Sequence, residues 1–139
     1  MKLPKPLTQA QIFIRDAWVH KMQWWPGGNR FFLPVKLDAG ANLREHHFAR
    51  ARRVETGRGY GKWAVNHLNP TLPCTILFTR YSSRMLDSDN LPNCFKACRD
   101  GIAKALNTGD SPSHPILWRY AQEKAPPHCH GFTVEWTTG

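Results

Sequence analysis

The chain has 139 residues, of which 41% are hydrophobic and 12% aromatic, which is enough to bury the core of one domain and excludes a disordered chain. Nineteen lysines and arginines against ten acidic residues give a formal net charge of +9, which favours a polyanionic partner. Nucleic acid is a better candidate than a lipid surface, because no basic amphipathic anchor stands out.

The sequence carries no apolar run of about 18 residues, so we expect no membrane span. The N-terminus is too polar for the apolar segment of a secretory signal. We therefore expect the four cysteines to be reduced thiols in a cytoplasmic protein.

The first thirty residues predict an arm followed by a helix. Met1–Leu7 contains two prolines and is expected to be irregular. Thr8 can cap a helix that runs to Trp24, and Trp24–Asn29 ends it in a turn. Because the apolar surface of this helix is broad, two interpretations remain open: an extra core helix, or an aromatic surface for dimerisation or DNA stacking.

A strand and a second helix follow. Phe31–Leu37 is short and apolar, and Pro34 places this strand at a sheet edge or marks the start of the strand. After a loop, a helix is predicted from Asn42 to about Val54. Glycines at positions 57, 59 and 61 interrupt its pattern, so we expect a kink or mobile loop before the helix resumes over Lys62–Leu68.

Pro73–Arg80 is rich in β-branched and apolar residues and is the clearest strand in the chain. A short connection leads from it to an amphipathic helix that ends near Leu106. At about 100° per residue, the apolar positions of this helix fall on one side. They are Leu91, Phe95, Cys98, Ile102 and Leu106.

The polar residues of this helix, Asp89, Asn93, Lys96 and Asp100, fall on its other side. Asp89 or Asn90 can cap the helix, and Pro92 is tolerated in its first turn. Asp87 and Asp89, just before the helix, are suited to a hard divalent cation. The alternative remains that they are ordinary caps before a solvated helix face.

A turn over Thr108–Pro112 leads to two further strands, Pro115–Lys124 and Gly131–Thr137, joined by Ala125–His130. The complete order is an N-terminal helix, then β-α-β-α-β-β. This order predicts a single α/β domain in which a mixed β-sheet packs against helices.

The order of acidic, amide and lysine residues in this chain resembles the order found in the RusA family of Holliday junction resolvases, above all in its phage and prophage members. The resemblance starts from the Asp-Ser-Asp-Asn-Leu sequence that begins at Asp87. It extends to Asn42–His47 and to Trp118–Lys124, and leaves residues 1–30 outside a RusA-like domain over residues 31–139. The residues that carry it near the centre are Asp87, Asp89, Asn90, Lys96, Asp100 and Asp110.

The resemblance implies a catalytic site made of Asp87, Asp89, Asp110 and Lys96. Asp87, Asp89 and Asp110 would hold Mg²⁺, for which Mn²⁺ can substitute, and Asp100 would bind the metal through water or position Lys96 through an i,i+4 pair. Lys96 would contact phosphate or stabilise transition-state charge.

The sequence departs from the family at two places. Family members commonly carry two adjacent acids where this chain has Gly109 and Asp110. The family lysine follows the aspartate by one turn, where this chain has Asn93, and Lys96 comes one turn later.

Cations on the second helix are the predicted DNA contacts, together with Lys96. Asn42 and Arg44 match the N-terminal motif of the family and are expected near the site. The alternative is a solvated basic face without a partner. The full set is Asn42, Arg44, Arg50, Arg53, Lys62 and Lys96.

The resemblance implies a homodimer that resolves four-way DNA junctions by paired phosphodiester hydrolysis in recombination or repair, in a bacterial cell and encoded by a phage or prophage. One alternative is a non-catalytic DNA-binding prophage protein with an incomplete site. Another is a small zinc protein, because Cys94 and Cys98 on one helix and His128, Cys129 and His130 are potential ligands.

Overall fold

A computed structural model describes residues 29–37, 47–108, 115–125 and 129–138, together with Pro6, Thr8 and Ile12. The predicted N-terminal arm and helix lie outside the described residues apart from those last three positions. Seven elements are described: β1 (Arg30–Leu33), α1 (His47–Leu68), β2 (Cys74–Ser82), α2 (Leu91–Cys94), α3 (Lys96–Ala105), β3 (Ile116–Lys124) and β4 (Gly131–Thr138).

The described strands form one mixed sheet in the order β1-β4-β2-β3, so the predicted α/β class is confirmed. β2 and β3 run parallel, with Cys74 opposite Ile116 and Ser82 opposite Lys124. β4 is antiparallel to both β1 and β2. β1 lies at the edge and ends directly before Pro34, which agrees with the edge position that the proline predicts.

The core lies between the sheet and the helices, because alternate residues of β2 point to the same face. Cys74, Ile76 and Phe78 are almost fully buried on that face. The ring of Phe78 stacks on Phe95 with centroids 4.7 Å apart, and on Trp118 at 5.8 Å. This aromatic stack fixes the central helical segment against the parallel strands.

Helix α1 is continuous through all three of its glycines, so the predicted kink or loop is wrong. A Cβ built on Gly61 would overlap the backbone of α3 at Cys98, and one on Gly101 would overlap the backbone carbonyl of Arg58. At Gly57, a Cβ would lie 2.7 Å from the Cβ of Ala97. These glycines stay helical because α1 and α3 cross in backbone contact, which outweighs their low helix propensity.

The predicted helix from Leu91 to Leu106 is divided at Phe95 into α2 and α3. The Phe95 N–H donates to the carbonyl of Pro92 at 3.1 Å, an i−3 bond that closes a tighter turn than the α-helical i−4 pattern. The ring of Phe95 is fully buried. Pro92 lies in the first turn, as predicted. The apolar side is buried as predicted at Leu91, Phe95, Cys98 and Ile102, and Leu106 is half-buried.

Helix α2 begins without the predicted side-chain cap. Asn90 occupies the N-cap position, and its side chain makes no capping hydrogen bond. Instead, the backbone carbonyl of Asp87 accepts hydrogen bonds from the N–H groups of Asn90 at 3.0 Å and Leu91 at 3.1 Å. A backbone turn therefore performs the role that the sequence assigned to an acidic or amide side chain.

Gly61→Ala should destabilise the protein by several kcal/mol, because its new methyl group meets helix backbone that cannot move aside cheaply. Gly59→Ala is the matched control, since nothing lies within 4 Å of a Cβ there. This change should stabilise the fold by up to about 1 kcal/mol. Urea unfolding of both variants measures the difference, and equal stabilities would contradict the backbone contact.

The fold should lose stability at alkaline pH. Burial raises the pKa of the Cys98 and Cys74 thiols, and burial followed by the carboxylate of Glu123 raises the pKa of Tyr81 to about 12. Each group is neutral when protonated, and the folded state holds that proton more tightly than the unfolded chain. The contribution of each group to folding stability is therefore complete when the pH is below the pKa of that group in the unfolded chain, which is about 9 for the thiols and 10 for tyrosine. This contribution is lost as the pH rises above these pKa values.

Urea unfolding between pH 8 and about 12 measures this loss as a falling free energy of unfolding. Cys98→Ala removes one contributor and should give a shallower decline, although its starting stability is lower. An identical pH slope in wild type and Cys98→Ala would exclude the buried thiol as a cause.

Candidate functional site

Asp87 and Asp89 lie on the loop from β2 to α2, and both are exposed. This loop leaves the carboxyl end of β2, beside the carboxyl end of the parallel strand β3. In open α/β sheets, ligands bind in the crevice outside the carboxyl ends of the strands. The two carboxylates therefore occupy the part of the sheet best suited to a ligand site.

Gln122 of β3 fixes the backbone just before these carboxylates. Its Nε2 donates to the carbonyl oxygen of Leu86 at 2.7 Å, and the Leu86 N–H donates to its Oε1 at 2.9 Å. Both backbone groups of Leu86 are thus satisfied by one half-buried amide. Asp87 follows Leu86 directly, so its backbone is anchored to the sheet.

Arg80 of β2 makes a second anchor beneath the same loop. It is 3% exposed, and its Nη1 donates to the carbonyl of Arg84 at 2.8 Å. Its Nε donates to the carbonyl of Leu37 at 3.0 Å, in the segment that follows β1. Charge-assisted bonds from a buried guanidinium are stronger than neutral ones, so this side chain ties two connections together at one edge of the sheet.

Ser82 completes the anchoring at the end of β2. Its Oγ lies 3.1 Å from Nδ1 of His130, and its carbonyl accepts from the N–H of Ala125 at 3.0 Å. The connection that leads into β4 is therefore bound to the base of the loop carrying Asp87. Arg80 and Ser82 of β2 and Gln122 of β3, near the carboxyl ends of these parallel strands, therefore hold this loop.

Lys96 is the first residue of α3 and is exposed, whereas Asp100, one turn later, is half-buried. No ion pair joins Lys96 to Asp100, although both are among the described residues, so the predicted i,i+4 pair is not formed. Asp100 instead lines a groove of about 700 Å³ between α3 and α1, beside Arg58 and Lys62. Lys104, one turn further along α3, lines the same groove, so Asp100 shares it with cations of both helices.

Among the residues that the structure describes, no group of three or more His, Cys, Asp or Glu side chains could hold a metal ion. Asp100 is therefore not gathered with Asp87 and Asp89. Asp110, the remaining predicted ligand, lies outside the described residues. Two exposed carboxylates separated by one residue still fit Mg²⁺, which commonly takes one or two protein carboxylates and keeps several waters.

The predicted DNA-binding residues of α1 divide between its two sides. Arg53 lines a groove of about 230 Å³ with Lys36, Tyr60 and Cys94. Lys62, nine residues later, lies half a turn away and lines the larger groove beside Asp100. Arg50 is exposed, and Asn42 and Arg44 lie outside the described residues.

The sequence interpretation missed Gln122 and Arg80. Each continues an inward-facing row of apolar residues, after Tyr120 in β3 and after Phe78 in β2. A polar side chain at an inward-facing strand position requires buried hydrogen-bond partners. The alternation of inward-facing and outward-facing positions along each strand is therefore the sequence signal that identifies both residues. It predicts that their side chains form hydrogen bonds that anchor neighbouring parts of the chain.

The cysteines give the zinc alternative no support. Sγ of Cys94 donates to the carbonyl of Leu91 at 3.0 Å, and Cys98 is buried with a raised thiol pKa. Zinc binds the thiolate, which this burial disfavours. His128 lies outside the described residues.

No family model matches the chain, and no characterised protein is significantly similar to it in sequence. The RusA resemblance is therefore carried by the order of its motif residues alone. No helix in the described part of the chain is long and apolar enough to cross a membrane.

Gln122→Leu should release the loop, because it leaves the N–H and carbonyl of Leu86 without their partners. The expected cost is about 1–3 kcal/mol in the free energy of unfolding. The amide of Leu86 should also exchange its hydrogen faster. Glu123→Gln, at the exposed neighbouring position, is the control, and unchanged exchange at Leu86 in Gln122→Leu would contradict the anchor.

Proposed function

We propose that the chain is a Mg²⁺-dependent endonuclease that cleaves four-way DNA junctions. The observation that carries this proposal is the pair of exposed carboxylates, Asp87 and Asp89, on an anchored loop at the carboxyl edge of a parallel strand pair. The resemblance of the surrounding sequence to RusA resolvases supplies the reaction and the substrate. The proposal includes Mn²⁺ as a substitute metal and a cytoplasmic location.

Asp87 and Asp89 would hold the metal, with Asp110 as the third carboxylate. When bound, the metal activates a water molecule and stabilises the leaving oxygen of the phosphodiester. The anchors at Gln122 and Arg80 keep the loop backbone fixed, so the carboxylates need little reorganisation to bind. Lys96, exposed at the start of α3, would contact the phosphate that is cleaved.

The charge of the chain suits this substrate. Arg50, Arg53 and Lys62 would contact phosphates, which gives affinity without base sequence, and Asn42 and Arg44 would lie nearer the site. A four-way junction has diverging arms. Cations on two sides of α1 are able to meet different arms, which supports a branched substrate over a single straight duplex.

We further propose a homodimer that makes paired nicks with 5′-phosphate ends. A junction presents two symmetric strands for cleavage. A two-fold protein places one site on each of them.

Asp89→Asn should abolish most cleavage while leaving the fold intact. The side chain is exposed and α2 does not use it as a cap, so stability should change by less than about 0.5 kcal/mol. A neutral amide is a poorer ligand for Mg²⁺, so cleavage of a four-way junction should fall by orders of magnitude. Junction binding should persist or tighten, because one negative charge facing phosphate is removed.

Nicking assays, junction affinity and melting temperature are measured on Asp89→Asn, with Asp87→Asn and Asp110→Asn beside it. Glu123→Gln removes a carboxylate at the same sheet edge from the opposite face and should cleave normally. Full cleavage by well-folded Asp89→Asn refutes the proposed site. Tight junction binding by the wild type without cleavage in Mg²⁺ or Mn²⁺ would favour the non-catalytic DNA-binding alternative.

A further inference from the structure

The surface of α1 outside its contact with α3 carries an apolar pocket. Trp63 is 49% exposed there, although it is among the largest apolar side chains of the protein. Trp63, Tyr60, Gly59 and Thr56 line this pocket, whose volume is about 210 Å³. We call this site the Trp63 pocket.

Gly59 forms part of the pocket because it has no side chain. Gly57 and Gly61 allow α3 to approach, but nothing lies within 4 Å of a Cβ built on Gly59. Helical geometry places Gly59 about 200° from each of them, on the outward side of α1. Glycine is unfavourable in a helix interior, and the packing of α1 against α3 gives no reason for it at this position.

Two cations lie near the Trp63 pocket. Arg52 lies on the same side of α1, about 10 Å along the helix from Gly59. Lys62 follows about 100° around the helix from Trp63 and lines the groove beside Asp100, which shares Gly59 with the pocket. Both cations are exposed. Over its whole length α1 carries five cations and a single carboxylate, Glu55. A second copy packed face to face would bring like charges together, whereas a polyanion would neutralise them.

We propose that the Trp63 pocket receives an unpaired nucleobase of DNA, with Arg52 and Lys62 contacting the neighbouring phosphates. The proposal rests on the function proposed above and adds the feature of the substrate that α1 recognises. Aromatic side chains stack on a base only where its ring face is free, which paired and stacked bases in a duplex do not offer. Bases at an open branch point lack a stacking neighbour on one side, so they unpair at less cost than bases inside a duplex.

Gly59→Leu tests the pocket without removing any aromatic ring or charge. Its side chain enters open space, so the fold should be retained, but it fills the volume that a base would occupy. Trp63→Ala removes the stacking surface, and Trp63→Phe keeps part of it. Leu117→Ala, at an apolar residue of similar exposure (51%) on β3, is the control.

Affinity is measured without divalent metal for single-stranded oligothymidine, a blunt duplex and a four-way junction. Gly59→Leu and Trp63→Ala should weaken oligothymidine binding by roughly 5-fold to 150-fold. The oligothymidine affinity of Trp63→Phe should lie between those of these two variants and that of the wild type. Leu117→Ala should bind oligothymidine with wild-type affinity. Duplex affinity should stay within about twofold in every variant, because phosphate contacts are retained.

Unchanged oligothymidine affinity in both pocket variants overturns the inference. A lower melting temperature with unchanged affinity would mean that the chain itself covers the pocket. A smaller sedimentation coefficient with unchanged affinity would mean that a second copy covers it. Binding that depends on Trp63 in a protein that never cleaves junctions would refute the nuclease and leave the base pocket standing.

Discussion

The backbone contact between α1 and α3 decides how the rest of the structure is arranged. Because Gly57, Gly61 and Gly101 have no side chains, the backbones of the two helices meet directly at Gly61 and Gly101, and only the Cβ of Ala97 lies against Gly57. α3 is in turn held to the sheet through Cys98 and Ile102. The basic helix is thereby fixed at a set position relative to the parallel strands and to the loop that follows β2.

This contact also gives α1 its different surfaces. The side with Gly57 and Gly61 is covered by α3. Arg53 lines the groove on one side of that contact, and Lys62 lines the groove on the other side. The outward side retains Gly59 and its apolar pocket. The apolar pocket adjoins both grooves, since it shares Thr56 and Tyr60 with one and Gly59 with the other.

The candidate site depends on a second constraint, the hydrogen bonds that hold the loop before Asp87. Gln122 and Arg80 lie inside the sheet edge and use their polar groups on the backbone of the loop. Because these two side chains belong to the strands β2 and β3, the loop geometry is set by the sheet and not by the acids themselves. Asp87 and Asp89 are left exposed and available for a ligand.

The sequence by itself determined the described strands, the order of strands and helices from β1 onward, and the buried side of the central helix, because periodicity and β-branched composition act locally. It also determined the positive charge and the position of Asp87 and Asp89 between a strand and a helix. Only the tertiary structure decided that α1 is continuous. From the sequence alone, glycines predict a break in the helix, whereas in the structure α3 fills the space where the side chains of Gly57 and Gly61 would lie. It likewise decided the break at Phe95, the anchoring roles of Gln122 and Arg80, and the separation of Asp100 from the other carboxylates. Each of these depends on contacts between residues far apart in the chain, which local propensity does not encode.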